Sequence, residues 1–352
     1  MMKKAGAAFK STFFGKLKKS PEQNMSCFIL SAVCYIKTQQ QIQLTGSASP
    51  AEQKMAAKFK KYLQRMSQVI EGTCKKIPST PDNMFKMAME TQQLKDEFAE
   101  IIMNINIFEF EDLKHVQQFI SELYNQLTEV LEDTLNYKKV EVVTTLISKY
   151  ELPGMSTFIG NLLRLHTKSN KLVDAFLNLE LLERLVKLIT NPDFNIQSDA
   201  YETFKEILLF EREGANPAFD AFIIDNHTAL FKLFDQLEQD PNYFSKREGL
   251  KTQYMLLARN ETLRKIYTSD KERLKSIMVT VLNQNKGIQY EAFLLLSLFI
   301  LMPQENQAVQ YTLKMNRGNL TDFIKNFQQD RDEADFKALK NRMREVLDEL
   351  DD

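Results

Sequence analysis

Three similar stretches decide the fold: Ser198-Asp199-Ala200-Tyr201, Arg247-Glu248-Gly249-Leu250 and Tyr290-Glu291-Ala292-Phe293. Each begins with polar or charged residues, which are followed by a small residue. A bulky residue and then a run of apolar residues come next. A weaker fourth copy is Phe158-Ile159-Gly160-Asn161. The four small residues are 40, 49 and 43 positions apart, and helical HEAT and armadillo units repeat at roughly 40–47 residues. The spacing therefore predicts stacked helical repeats.

Helical periodicity extends through the rest of the chain. Apolar residues recur three or four positions apart, as in Ile196, Ala200, Phe204, Ile207 and Leu208, which places them on one helix face. Strand-like alternation is scarce, and its best example, 140–144, lies in helical surroundings. Short breaks separate the helical stretches: Pro78 and Pro81, Pro153-Gly154, Asn191-Pro192, 214–217, Asp240-Pro241 and Pro303. We predict an all-α, armadillo/HEAT-like solenoid, a right-handed superhelix with a concave face for binding.

The small residue of each repeat predicts close packing between neighbouring helices. Glycine inside a helix costs about 1 kcal/mol relative to alanine. Gly249 is therefore expected to lie where a larger side chain would meet another helix.

Composition excludes several function classes. The 352 residues hold only 10 Gly and 9 Pro, and no dinucleotide, P-loop or nucleophile-elbow fingerprint can be written. The net charge of −1 gives no overall signal for nucleic acid. Three scattered cysteines and three isolated histidines predict neither a disulfide framework nor a metal site. We expect a cytoplasmic protein without a cofactor.

The termini differ in charge from the body of the chain. Residues 1–19 contain six lysines and no acid, whereas 345–352 contain five acids and no base. A solvated terminus is favoured for the basic arm over contact with a membrane or an acidic partner. The sequence predicts a basic arm over 1–21, one helical-repeat domain over 22–331 and a charged helical tail over 332–352.

The repeat helices also resemble a known family. The chain is similar to the calcium-binding protein 39 family, also called HymA-like or Mo-twenty-five scaffold proteins. Four motifs occur in the family's order: Phe194–Lys205, Asn242–Lys251, Ile288–Phe293 and Phe327–Arg331. The resemblance covers 158–331, and Phe13–Pro21 also matches the family's start. It implies a non-catalytic adaptor that holds Ste20-type kinases or pseudokinases and favours their active arrangement, with a further kinase where a pseudokinase bridges the two.

The resemblance implies a partner-binding row on the concave face. The residues that match it are Phe194, Tyr243, Arg247, Lys251 and Arg259. Tyr243, Arg247 and Lys251 are four positions apart, so one helix would present them as a stripe, although that helix is expected to begin only near Ser245. An arginine can fork two hydrogen bonds onto a carboxylate. The alternative for the stripe is a solvated helix face plus a packed Tyr243, and the alternative for Phe194 is a core staple on its own helix.

A second site implied by the resemblance takes a Trp-Glu-Phe-like partner tail. Its wall matches Leu274, Lys275, Met278, Val281 and Asn316. The methionine would pack on aromatic rings and the lysine would pair with the acid. The chain departs from the family where Met315 and Asn319 replace basic residues, which predicts a variant tail. An ordinary core stripe is the alternative.

Two other functions remain open at this point. An armadillo-type adaptor for a transport or cytoskeletal cargo would explain the repeats but not the motifs. A helical enzyme would need a buried cluster of acid, base or nucleophile, and the sequence contains no pattern of that kind.

Overall fold

The computed structural model describes residues 21–70, 85–86, 88–169, 171–209, 217–302 and 306–350. These residues are mostly helical, and no strand occurs among them, which confirms the all-α prediction. Several predicted features lie outside the described residues: residues 1–20 of the basic arm, Cys74, the breaks at Pro78, Pro81, 214–216 and Pro303, and the last two residues of the tail, 351–352.

The chain divides into two compact units, Met1–Leu181 and Leu182–Asp352. The first contains seven described α-helices: α1 (Pro21–Thr45), α2 (Pro50–Ile70), α3 (Gln92–Met103), α4 (Phe110–Gln126), α5 (Thr128–Leu135), α6 (Lys139–Ser148) and α7 (Ser156–Thr167). Short 3-10 turns occur at Ile105–Ile107, Asn136–Lys138 and Val173–Phe176. Helix α8 (Leu179–Ile189) runs across the division.

The second unit contains the repeat helices. Its described helices are α9 (Phe194–Leu209), α10 (Pro217–Asp225), α11 (His227–Gln239), α12 (Tyr243–Arg259), α13 (Glu261–Thr268), α14 (Lys271–Thr280), α15 (Lys286–Leu301), α16 (Gln307–Asn326) and α17 (Ala334–Glu349). The predicted breaks at Asn191-Pro192 and Asp240-Pro241 separate α8 from α9 and α11 from α12. That the repeats form one continuous domain over 22–331 stays a prediction.

An aromatic cluster fills the core of the first unit. Phe28 packs edge-to-face on Phe119, with 5.0 Å between ring centroids, and Phe59 lies 5.1 Å from both Tyr35 and Phe108. These five side chains come from α1, α2, α4 and the loop before α4, and all are buried. Such ring pairs stabilise the contact by about 1 kcal/mol beyond area burial.

The predicted repeat register is confirmed within the second unit. Ala200, Gly249 and Ala292 each occupy the seventh position of their helices α9, α12 and α15. All three residues are buried. A Cβ built at Gly249 would lie 2.7 Å from the Cβ of Leu237 on α11, so the glycine permits the close approach of α12 and α11 that the sequence predicted.

Asparagine and aspartate side chains begin most helices of the second unit. Each accepts hydrogen bonds from the backbone N–H groups of the first helical turn, which otherwise lack partners. The capping residues are Asn242, Asn260, Asp270, Asn285 and Asn306, at the starts of α12, α13, α14, α15 and α16. A cap of this kind contributes about 1 kcal/mol, and it fixes the residue at which each helix begins.

The charged tail forms α17 and is anchored by three apolar residues. The buried residues are Phe336, Met343 and Leu347. The ring centroids of Phe336 and of Phe293 on α15 are 5.6 Å apart. The helix packs on both α15 and α16. Its acidic and basic residues lie on the remaining faces.

Candidate partner-binding surfaces

The adjoining repeat helices α9 and α12 carry four of the predicted row residues, and we call these four the helix-start row: Phe194 of α9 and Tyr243, Arg247 and Lys251 of α12. Phe194 and Tyr243 begin α9 and α12, and their exposed fractions are 62% and 49%. The Phe194 ring packs edge-to-face on Phe244, with 5.6 Å between centroids. Phe194 is therefore a surface residue that contacts Phe244 of α12, and it does not form a core staple on α9.

Tyr243 belongs to α12 and does not precede it. The sequence placed the start of this helix near Ser245, whereas the helix begins at Tyr243. The difference arises because the Asn242 side chain accepts hydrogen bonds from the N–H groups of Phe244 and Ser245. Tyr243, Arg247 and Lys251 therefore follow one another along one face of α12.

Two carboxylates of the chain itself hold the Arg247 guanidinium. Its Nη1 donates to Glu248, and its Nη2 donates to Glu291 of α15 at 3.2 Å. Arg247 keeps 33% of its side chain exposed, while that of Glu291 is only 4% exposed. Burial raises the pKa of Glu291, although Arg247 and Lys251 oppose that rise.

Gly287 of α15 accommodates the Tyr243 hydroxyl. A Cβ built at Gly287 would lie 2.7 Å from that hydroxyl oxygen and 3.4 Å from Cδ of Arg247. Any larger residue at this position would displace the tyrosine tip. Helix α15 thus accepts a hydrogen bond from Arg247 and leaves room for the Tyr243 side chain.

Arg259 lies apart from the other residues of the predicted row. It follows Arg247 by twelve positions, or about 18 Å along the helix axis at 1.5 Å per residue. Its guanidinium donates to the carbonyl of Leu209, the last residue of α9. The structure therefore brings Phe194, Tyr243, Arg247 and Lys251 together but places Arg259 at the opposite end of α12.

Some residues of the repeat motifs join helices inside the unit. The buried Gln197 amide donates to the Ile189 carbonyl at 2.8 Å and to Ser245 Oγ at 3.0 Å. Ser245 in turn donates to the same carbonyl at 3.1 Å. These bonds tie α8, α9 and α12 together, so Gln197 and Ser245 have a structural explanation.

Helix α14 has one buried face and one exposed apolar stripe. Leu274 and Val281 are 0% and 3% exposed, so these predicted wall residues lie in the core. Met278 is half-buried. The exposed stripe consists of Lys275 and Val279 and continues to Leu282 in the turn after the helix, as Val281 does on the buried side; the exposed fractions of Val279 and Leu282 are 71% and 66%.

A second exposed stripe lies on α16. Tyr311 and Met315, one helical turn apart, are 63% and 65% exposed. Asn316 is half-buried and donates to the Thr312 carbonyl at 2.8 Å. Because α14 and α16 contact each other, the two stripes offer apolar surface on adjoining helices. We call them the tail stripes.

A polar groove of about 540 Å³ lies between α11 and α14. Arg273 binds Asp235 through two hydrogen bonds of 2.9 and 3.3 Å. Glu238 accepts from the Thr280 hydroxyl at 2.6 Å, and burial raises the pKa of this glutamate. Arg273 and Asp235 are thus paired with each other across the groove, and Glu238 is held by an uncharged hydroxyl.

Sequence reasoning missed Glu248, Glu291 and Gly287. A signal for the two glutamates was available, because each directly precedes the small residue of its repeat, as Asp199 does in α9. An acid that recurs at one repeat position points to a shared contact. No comparable signal marked Gly287, whose role depends on the neighbouring helix.

Two general observations bear on function. Within the described ranges, no group of three or more His, Cys, Asp and Glu side chains is arranged to hold a metal ion. In the same part of the chain, no helix combines the length and the apolar character needed to cross a bilayer.

Comparison with known proteins decides the family. The sequence pattern of the Mo25-like family matches residues 24–351. The chain belongs to the Mo25-like family. The human calcium-binding protein 39-like is 26% identical over 304 residues, which cover 84% of this chain and 88% of that protein. This result confirms the resemblance found in the repeat motifs.

Relatives from fungi show the same breadth of similarity. A Mo25-like protein of Schizosaccharomyces pombe is 26% identical over 77% of this chain and 82% of its own length. The conidiophore development protein hymA of Emericella nidulans is 24% identical over 82% of each chain. Membership in the Mo25-like family agrees with the helical-repeat fold and supports a non-catalytic scaffold role.

Proposed function

We propose that this chain is a cytoplasmic, non-catalytic scaffold that binds Ste20-type protein kinases or pseudokinases and favours their active arrangement. One observation carries the proposal: the helix-start row presents Phe194, Tyr243, Arg247 and Lys251 together on adjoining repeat helices. These are the residues through which the family resemblance implies kinase binding.

The helix-start row has the chemistry of a protein-binding surface. Tyrosine and arginine are enriched among residues that dominate binding energy, because each supplies a large rigid contact with polar groups at its tip. Here the Phe194 and Tyr243 rings are exposed, and Arg247 is held by the chain's own carboxylates. A partner would meet side chains that are already ordered, which reduces the entropy lost on binding.

The tail stripes supply a second contact for the same partner. Val279, Leu282, Tyr311 and Met315 are exposed apolar side chains, and Lys275 adds a positive charge beside Val279. An aromatic and acidic segment at the end of a partner would pack on the apolar side chains and pair with the lysine. In this arrangement the predicted residues Leu274 and Val281 support α14 from the core.

Activation would follow from differential binding. A scaffold shifts a kinase toward its active state only to the extent that it binds that state more tightly than the inactive one. Two separate contacts also raise the overall affinity, because the second forms at a high effective concentration once the first is made.

Affinity purification from cell extract tests the proposal at residue level. We expect the wild-type chain to recover a Ste20-type kinase or pseudokinase. Arg247→Ala and Val279→Asp should each lower that recovery several-fold, and the double variant should lower it further, since loss of an anchor residue costs about 2 kcal/mol or more.

Arg342→Ala is the matched control for this experiment. Arg342 is an exposed arginine on α17, paired with Glu345 at 3.0 Å, and its replacement should leave recovery unchanged. Equal recovery of the kinase by the wild type and the double variant would show that these residues do not bind it. Recovery of other proteins and no kinase would favour an adaptor for a different cargo.

A further inference from the structure

The contacts of Arg247 differ from those of an arginine that waits for a partner carboxylate. Two carboxylates of the chain, Glu248 and Glu291, already accept hydrogen bonds from its guanidinium. Together with Lys251, these four residues sum to zero formal charge. The guanidinium is therefore fixed in direction, and part of it remains exposed at the surface.

Glu291 is an unusual residue to find at this place. Its side chain is 4% exposed, and burial raises its pKa despite the neighbouring cations. Burial thus costs free energy for the charged carboxylate at this position, and an uncharged residue of similar shape would avoid that cost while Arg247 kept Glu248 as a partner. A role in packing alone does not explain this glutamate.

Glu291 and Gly287 act on the same pair of side chains from one helix. Gly287 leaves space for the Tyr243 hydroxyl, and Glu291, four residues later, accepts from Arg247. Residues four apart lie on one face of a helix. That face of α15 is therefore shaped to the two side chains that α12 presents.

We propose that Glu291 is a positioning residue for partner recognition, which holds the Arg247 guanidinium in the orientation that a bound kinase or pseudokinase meets. This inference rests on the proposed function. It also assigns the kind of group that Arg247 contacts: an uncharged acceptor such as a backbone carbonyl, because the charges of Arg247, Lys251, Glu248 and Glu291 already sum to zero and leave no net positive charge to attract a partner carboxylate.

A double-mutant cycle separates positioning from a merely structural role. The four proteins are the wild type, Glu291→Gln, Arg247→Ala and the double variant, and each is titrated with one purified Ste20-type kinase domain by calorimetry. We expect Glu291→Gln to weaken binding about fivefold or more in the wild type and less than about twofold in the Arg247→Ala background. The melting temperature of Glu291→Gln should equal or exceed that of the wild type.

A matched control uses Glu238, another mostly buried glutamate of the same unit. Glu238→Gln should leave the affinity unchanged, because Glu238 contacts Thr280 and not Arg247. An equal loss from Glu291→Gln in both backgrounds would overturn the positioning role, as would no loss in either. If Arg247→Ala binds the kinase domain with the affinity of the wild type, the proposed function is wrong. The positioning role of Glu291 is then wrong as well.

Discussion

At the scale of single residues, the buried pair Tyr124 and His166 predicts how the stability of the protein depends on pH. His166 Nδ1 lies 2.8 Å from the Leu162 carbonyl, to which it donates, so Nε2 accepts from the Tyr124 hydroxyl at 3.1 Å. A neutral imidazole has one donor and one acceptor nitrogen, and these match the Leu162 carbonyl and the Tyr124 hydroxyl. Burial lowers the pKa of His166 to about 4.

Stability should therefore fall as the pH drops from about 6.5 to about 4. The unfolded chain binds a proton on His166 near its ordinary pKa of about 6.5, whereas the folded chain resists protonation until about 4. The free energy of unfolding should lose about 3 kcal/mol from this residue over that range, and all of it is present above pH 7. Urea unfolding at several pH values measures the slope.

The variant His166→Gln isolates this contribution. It removes the titrating group, so the decline of stability between pH 6.5 and 4 should be shallower than in the wild type. The same slope in both proteins would show that His166 titrates normally and that other groups set the acid limit.

Single residues also show where sequence reasoning ends. The spacing of Tyr243, Arg247 and Lys251 predicted a stripe, and the structure places all three on one helix face. The partners of Arg247 were not predicted, because Glu291 lies 44 positions away and only the packing of α15 on α12 brings the two together. Exposure of Phe194 was equally open, since an aromatic residue at a helix start packs inward or outward with the same sequence pattern.

At the scale of secondary-structure elements, the packing of α12 on α11 predicts how a larger residue at Gly249 changes the stability of the protein. A Cβ at Gly249 would lie 2.7 Å from Leu237 Cβ, an atom close to the backbone that cannot turn aside. Gly249→Ala should therefore destabilise the protein by about 1–3 kcal/mol, as overpacked cores do. Chemical denaturation measures the change.

Gly318 on α16 is the matched control for Gly249. Nothing lies within 4 Å of a Cβ built at Gly318, so Gly318→Ala should stabilise the protein by up to about 1 kcal/mol through helix propensity. If both substitutions stabilise the protein equally, the glycine in the repeat has no packing role.

Helix α14 was predicted from the sequence, but the side of the helix that faces solvent was not. The sequence placed Leu274, Met278 and Val281 on one apolar stripe, and these residues do lie along one side of the helix. Val279 of the helix and Leu282 of the turn after it lie on another side, and periodicity does not say which side meets the core. The structure buries Leu274 and Val281 and exposes Val279 and Leu282, because α15 and α16 pack against the former side.

At the scale of the whole molecule, the two units differ in how much of their structure could be predicted from the sequence. Motifs after 158 gave the repeat register of α9, α12 and α15, since a small residue recurs at the seventh position of each. Between Glu22 and Tyr150 the sequence offered only helical texture. Its aromatic core draws on residues from Phe28 to Phe119, and such long-range contacts have no local signature.

The central proposal is that this chain activates a Ste20-type kinase by binding its active arrangement. The most direct test measures the phosphorylation rate of one purified Ste20-type kinase domain at increasing concentrations of the 352-residue chain. The rate should rise and saturate, and Arg247→Ala should move the half-maximal concentration upward by about tenfold or more. A rate that stays constant up to concentrations at which the kinase is fully bound would contradict the claim.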